Sequence, residues 1–259
     1  MKKTGGKKQV DVKEAPSKSP QVKWWKKALI VALAMAWLVV ALIGAELLVG
    51  FLVGKMLPIE LLSSPIVNAS FSMVSYLLAA FLIIFVPTKI PRIKDLIESS
   101  RERLGLRGLP TWTDIGLAPI GYIVTIVIVM GLTTIFNNFD WFNGNEAQNL
   151  GYSFYMQGWE RGIAFIELAI FAPIIEELLF RGWLYGNLRI RIPKPLAILL
   201  VSLLFGLVHM QWNVGITVFA MSVVSCTMRE ITGSIYAGTL MHMINNTVAF
   251  YLVYVIGMA

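Results

Sequence analysis

Long uncharged runs divide this chain. Residues 28–54 are apolar except for Glu46, and residues 61–88 and 115–139 hold no charge at all. Residues 162–187 are apolar yet carry Glu167, Glu176, Glu177 and Arg181. Residues 195–228 are uncharged, with a polar break at Gln211, Trp212 and Asn213, and residues 231–259 form a last run. A helix needs about 20 apolar residues to cross the hydrocarbon core. The pattern therefore predicts an all-α polytopic membrane bundle of about seven transmembrane helices. One member of the short pair around Gln211 is either a span or a re-entrant segment. Residues 92–110 mix charges with Ile and Leu and read as an interfacial helix or a structured loop.

Composition and charge sharpen this picture. The chain has 259 residues, of which 57% are hydrophobic and 14% charged. A soluble domain carries about 25% charge, so a soluble enzyme is excluded. The formal charge of +7 would suggest nucleic acid, but residues 1–27 hold nine Lys against Asp11 and Glu14, and the remainder is neutral. The excess is thus a short basic tail, which fits a membrane-flanking segment drawn to anionic lipid, with no nucleic-acid partner. Its Lys, Gly, Ser and Pro predict disorder over residues 1–27. Residues 28–158 then form the N-terminal transmembrane helices with a cytoplasmic loop, and residues 159–259 the chemically distinctive core. Lys89, Arg92, Lys94, Arg101, Arg103 and Arg107 follow the second run, and Arg189, Arg191 and Lys194 the fourth. This alternation predicts a multi-pass cell-membrane protein with a cytoplasmic N-terminus. One Cys and two His exclude a disulfide framework and a Cys-rich metal site.

An ionisable side chain inside a span costs about 2.5–3.5 kcal/mol on insertion scales. Single ones are tolerated, so Glu46 and Glu167 read as structural or neutral, and Asp114, after Thr111, as a helix cap. At 100° per residue, Glu167 and Glu176 lie about half a turn out of phase and do not share a face. The run Glu176-Glu177-Leu-Leu-Phe-Arg181 is different. Adjacent carboxylates cannot both stay charged in low dielectric without a cation. Arg181 lies four residues after Glu177, the spacing of a helical ion pair, which leaves Glu176 free for chemistry. A purely structural salt bridge is the competing reading of this motif.

Both histidines are intramembrane. His209 lies one turn after Phe205, and His242 one turn before Asn246. Counted from the basic ends of their helices, Glu176, His209 and His242 lie roughly 16, 21 and 14 Å deep. One layer would thus hold a carboxylate, two imidazoles and an amide: a base for water, a proton carrier and oxyanion donors. Such groups are too costly in lipid unless they face one another and water. The expectation is a polar cavity open toward the cytoplasmic half.

These motifs, Glu-Glu-x-x-x-Arg, Phe-x-x-x-His and His-x-x-x-Asn in order on successive helices, resemble the CPBP family. Its members are intramembrane proteases related to type II CAAX prenyl endopeptidases, including the Abi bacteriocin-immunity-like proteins. The resemblance covers roughly residues 159–255 and includes the lead-in from Thr232 to Gly238. It implies peptide hydrolysis within the bilayer. Glu176 would be the general base and His209 its partner in orienting water or carrying the proton. His242 and Asn246 would serve the oxyanion or hold the water, with Glu177, Arg181 and Phe205 in support. A metalloprotease variant stays open, in which Glu176, His209 and His242 hold zinc with water as the fourth ligand. Such a site would force Glu177 into the role of base, in competition with Arg181. The implied partners are membrane lipid and a membrane-associated peptide or protein substrate. Two other readings stand beside this one: a catalytically silent immunity factor or scaffold of the same fold, and a small proton-coupled transporter.

Overall fold

The computed structural model describes residues 23–91, 93, 97–144, 146, 152 and 156–257. Most of the basic tail, residues 1–22, lies outside the described residues, as do Arg92 and Lys94. Seven long helices are present among the described residues, and no strand. They are α1 (Trp24–Met56), α2 (Pro65–Lys89), α3 (Trp112–Phe136), α4 (158–188), α5 (Lys194–Leu207), α6 (Trp212–Thr232) and α7 (Tyr236–Ile256). Five of them, α1, α2, α3, α6 and α7, are long and apolar enough to cross a membrane. Helix α4 carries the four charges already noted. Helix α5 has 14 residues, about 21 Å, which is short of a full crossing.

Helix α1 shows how the bundle sorts its faces. Val31, Ala34, Leu38, Ala41, Ala45 and Val49 are buried at steps of three or four, while Leu33, Val40, Leu47 and Phe51 are exposed. The first set is the stripe that packs on protein and the second faces lipid. Helix α3 begins as its sequence predicts. Thr111 Oγ1 accepts from the Asp114 backbone N–H at 3.2 Å, and Asp114 Oδ2 accepts from the Thr111 N–H at 2.9 Å, a reciprocal cap. Asp114 Oδ1 also accepts from Ser234 at 2.7 Å, which ties the start of α3 to the start of α7.

The helices run up and down, so the starts of α1, α3, α5 and α7 share one end with the finishes of α2, α4 and α6. That end is sealed by polar contacts. Arg229 donates to the Gly182 carbonyl at 3.0 Å. Glu230 pairs with Arg189 at 3.0 Å and with Lys194. Residues 97–110 lie across this end as a structured loop with a helical turn at Arg101–Leu104. The Ile235 N–H donates to the Gly105 carbonyl and the Tyr236 hydroxyl to that of Gly108. Within the loop, hydrogen bonds from Ser100 and Arg103 hold the Glu98 carboxyl below the usual carboxylate range. Eleven described basic residues gather here, from Lys23, Lys26 and Lys27 to Arg229, whereas only Lys55 and Arg161 mark the opposite end.

Helices α5 and α6 form a tight hairpin at that opposite end. A Cβ on Gly206 would sit 2.8 Å from the Gly215 carbonyl oxygen, and one on Gly215 would sit 2.9 Å from that of Gly206. The absent side chains let the two backbones touch, as at other membrane helix crossings. Gly206→Leu is therefore expected to destabilise the detergent-solubilised protein by about 1–3 kcal/mol through overpacking. Gly44→Ala, where a Cβ meets nothing within 4 Å, is the control and should leave the thermal midpoint unchanged.

Candidate active site

Helix α4 positions the acids, and it is not a regular α-helix. Wide, π-type turns occupy Ile166–Phe171 and Leu178–Tyr185, on either side of Ala172–Glu177. Such turns take up an extra residue and are frequent at functional sites. They re-phase the helix, and this overturns one expectation from the sequence. Glu167 accepts a hydrogen bond from Ser72, and Glu176 accepts one from Tyr76. Ser72 and Tyr76 are one turn apart on α2, so Glu167 and Glu176 do face the same helix. Counting 100° per residue failed because the wide turn lies between them.

Glu177 points the other way. Its Oε1 lies 3.0 Å from Arg181 Nη1, and both side chains are fully buried. Ser225 of α6 donates to the same oxygen at 3.5 Å. The Arg181 guanidinium lies over the Phe205 ring, 4.2 Å from its centroid, a cation–π contact in a desolvated setting. The ion pair expected from the i,i+4 spacing is therefore present. Gly238 makes room for it, since a Cβ there would come within 3.0 Å of Glu177 Oε2 and 2.8 Å of Ser225 Oγ.

The histidines meet the acids from α5 and α7. His242 lies between the two glutamates, with Nε2 3.8 Å from Glu176 Oε2 and Nδ1 3.4 Å from Glu177 Oε1. His209 and His242 both stand edge-on to the Phe205 ring, at centroid distances of 5.0 and 6.1 Å. His209 Nδ1 lies 2.7 Å from the Phe205 carbonyl oxygen. A carbonyl only accepts, so in the neutral ring Nδ1 carries the hydrogen and Nε2 keeps its lone pair. Asn246 is placed differently from the other candidates. Its amide donates to the Leu168 carbonyl at 2.9 Å and its oxygen accepts from Asn245. Leu168 lies in the wide turn just before Pro173, which has no N–H to offer that turn. Asn246 thus binds α7 to an irregular stretch of α4.

A cavity of about 600 Å³ lies beside these groups, between α1, α2, α4 and the end of α5. Glu176 and His209 line it, with Glu46, Ser72, Ser75, Tyr76, Phe180 and Phe205 among the other walls. The sequence missed Tyr76 as a site residue. Its signal was the row Ser72, Ser75, Tyr76 at three- and four-residue spacing on one face of an uncharged run. The cavity extends away from the basic end of the bundle. Phe180, Trp183 and Leu184 are buried and close it toward the basic end, while His209 and Met210, at the far end of α5, line it. Among the described residues, no three His, Cys, Asp or Glu side chains are arranged to hold a metal ion. Glu176 is engaged by Tyr76, and His242 directs its two nitrogens at different carboxylates. As arranged, Glu176, His209 and His242 do not fit a zinc site.

The grouping of Glu176, Glu177, Arg181, Phe205, His209, His242 and Asn246 falls within a single stretch of chain. Residues 158–248 match the family model described as type II CAAX prenyl endopeptidase Rce1-like. Comparison with curated proteins gives no match, and comparison with solved structures gives none either. The match runs from α4 into α7 and supports a CPBP-family intramembrane protease over that stretch.

Proposed function

We propose that this protein is an intramembrane endopeptidase that hydrolyses a membrane-associated peptide through water activated by Glu176 and the histidines. The observation that carries the reading is the position of Glu176: on the cavity wall, held by Tyr76 on one side and facing His242 on the other. Tyr76 occupies Oε1 and leaves Oε2 to take a proton from water. The resulting hydroxide forms a bond to the scissile carbonyl carbon as the C=O π pair moves onto the carbonyl oxygen, and the return of that pair re-forms the carbonyl and expels the amine. His209 Nε2, with its free lone pair, receives the proton and delivers it to the leaving nitrogen as the C–N bond breaks. His242 is buried outside the cavity lining and backs Glu176 from the side away from Tyr76, with Nε2 3.8 Å from Oε2. Glu177 and Arg181 neutralise each other and orient His242. Asn246 supports the site by fixing α7 on α4.

The substrate class follows from the setting. The cavity walls are mostly apolar and lie within the bundle, which suits a peptide already at the membrane. The gathered Lys and Arg support a cytoplasmic N-terminus in a cell membrane. A silent scaffold of the same fold would bind such a peptide without cutting it.

Glu176→Gln is expected to lower peptide hydrolysis in detergent by about 10²–10⁴-fold, the range of a lost general base, with the melting temperature unchanged. A chelator should leave the wild-type rate as it was. Equal, non-zero cleavage by Glu176→Gln and wild type would sink the mechanism, and binding without cleavage by both would favour the scaffold. A second outcome concerns the ion pair. Arg181→Ala strands Glu177 in a buried site and should destabilise the fold by about 3–5 kcal/mol. Thermal unfolding of the purified variant checks this, and an unshifted transition would mean that the pair contributes nothing.

A further inference from the structure

Charge and cavity point to opposite ends of this molecule. Short loops rich in Lys and Arg stay in the cytoplasm, and the described basic residues gather at the end where α1 starts and α2 finishes. The cavity wall is buried aromatic on that side, with Phe180 at the floor and Trp183, wholly inaccessible, beyond it. On the other side the lining runs out to His209 and Met210, which follow the last residue of α5, and Met210 is 92% exposed.

The depth of Glu46 gives an independent measure. It follows Lys27 by 19 residues of unbroken helix, about 28 Å, in a hydrocarbon core about 30 Å thick. Glu46 lines the cavity, so the cavity extends to the level of the far interface. Aromatic rings mark the same level. Trp212, at the start of α6, packs against Trp141 at 5.3 Å, as expected of an interfacial aromatic belt.

We infer that the cavity admits water and peptide from the extracytoplasmic half of the membrane. The substrate is then a translocated or membrane-anchored peptide whose scissile bond lies in or just outside the outer leaflet. The inference rests on the proposed hydrolysis for its substrate, and on the cavity's geometry together with the placement of Lys and Arg for the side of access. Glu176 lies near the middle of the bundle, so the chain to be cut must reach inward from the outer interface along Ser72, Tyr76 and His209.

The test uses the full-length chain with Cys226→Ser, expressed in bacterial cells, carrying either Met210→Cys or Leu109→Cys. Leu109 is exposed in the loop at the basic end. A membrane-impermeant maleimide added to intact cells should label Met210→Cys fully, and Leu109→Cys only after permeabilisation. Protection of Met210→Cys until permeabilisation, or labelling of both positions in intact cells, would overturn the inference. Wild-type protein in vesicles of known orientation supplies the second measurement, with a membrane-impermeant quenched peptide added outside. Cleavage by right-side-out vesicles, and its loss in inside-out vesicles until they are opened, is expected; the reverse overturns the inference. Outward labelling with no cleavage in opened vesicles would support the route of access and reject the hydrolytic reading that supplies the substrate.

Discussion

A buried charge must be answered inside the bundle, because lipid offers it nothing. The Glu177–Arg181 pair, with both side chains at zero exposure, is the constraint on which the rest of the site depends. Arg181 is covered by the Phe205 ring, so α5 must cross α4 at that level. Glu177 takes a hydrogen bond from Ser225 and faces His242, so α6 and α7 must cross there too. Replacing such a pair with apolar groups often leaves stability unchanged or improves it, so its value here lies in position. It fixes four helices around one point and holds His242 against Glu176.

The wide turns of α4 solve a second problem. A regular helix would send Glu167 and Glu176 to opposite sides, and one of them would face lipid. The re-phased helix turns both toward α2, where Ser72 and Tyr76 accommodate them. The irregular backbone is then left with a carbonyl beside Pro173, and Asn246 supplies the missing donor. Irregular backbone within a membrane is tolerated only where protein satisfies it. The third motif of the domain thus serves the first.

The cavity and the charged end divide the molecule between two tasks. At the basic end, Arg229, Glu230 and the 97–110 loop lock the helix termini together. At the other end, α5 stops after 14 residues, and the space it leaves beside α1 and α2 becomes the cavity. A short helix in a thick bilayer leaves a gap, and here that gap leads to Glu176.

The sequence by itself determined the succession of apolar helices, the sided distribution of Lys and Arg, the cap at Thr111 and Asp114, and the Glu177–Arg181 pair, though not that α5 is too short for a full crossing. These are local features, written in runs of apolar residues and in steps of three or four. It also marked Glu176, His209 and His242 as costly groups needing company. Tertiary structure alone decided what that company is. Tyr76 reaches Glu176 across 100 residues of chain, and Asn246 reaches Leu168 across 78. The shared face of Glu167 and Glu176, and the direction of the cavity, depend on wide turns and on a short α5. A uniform 3.6-residue period cannot express a change of its own phase. Where the helix stays regular, the spacing of residues fixes their neighbours; where it widens, only the packing of the other helices does.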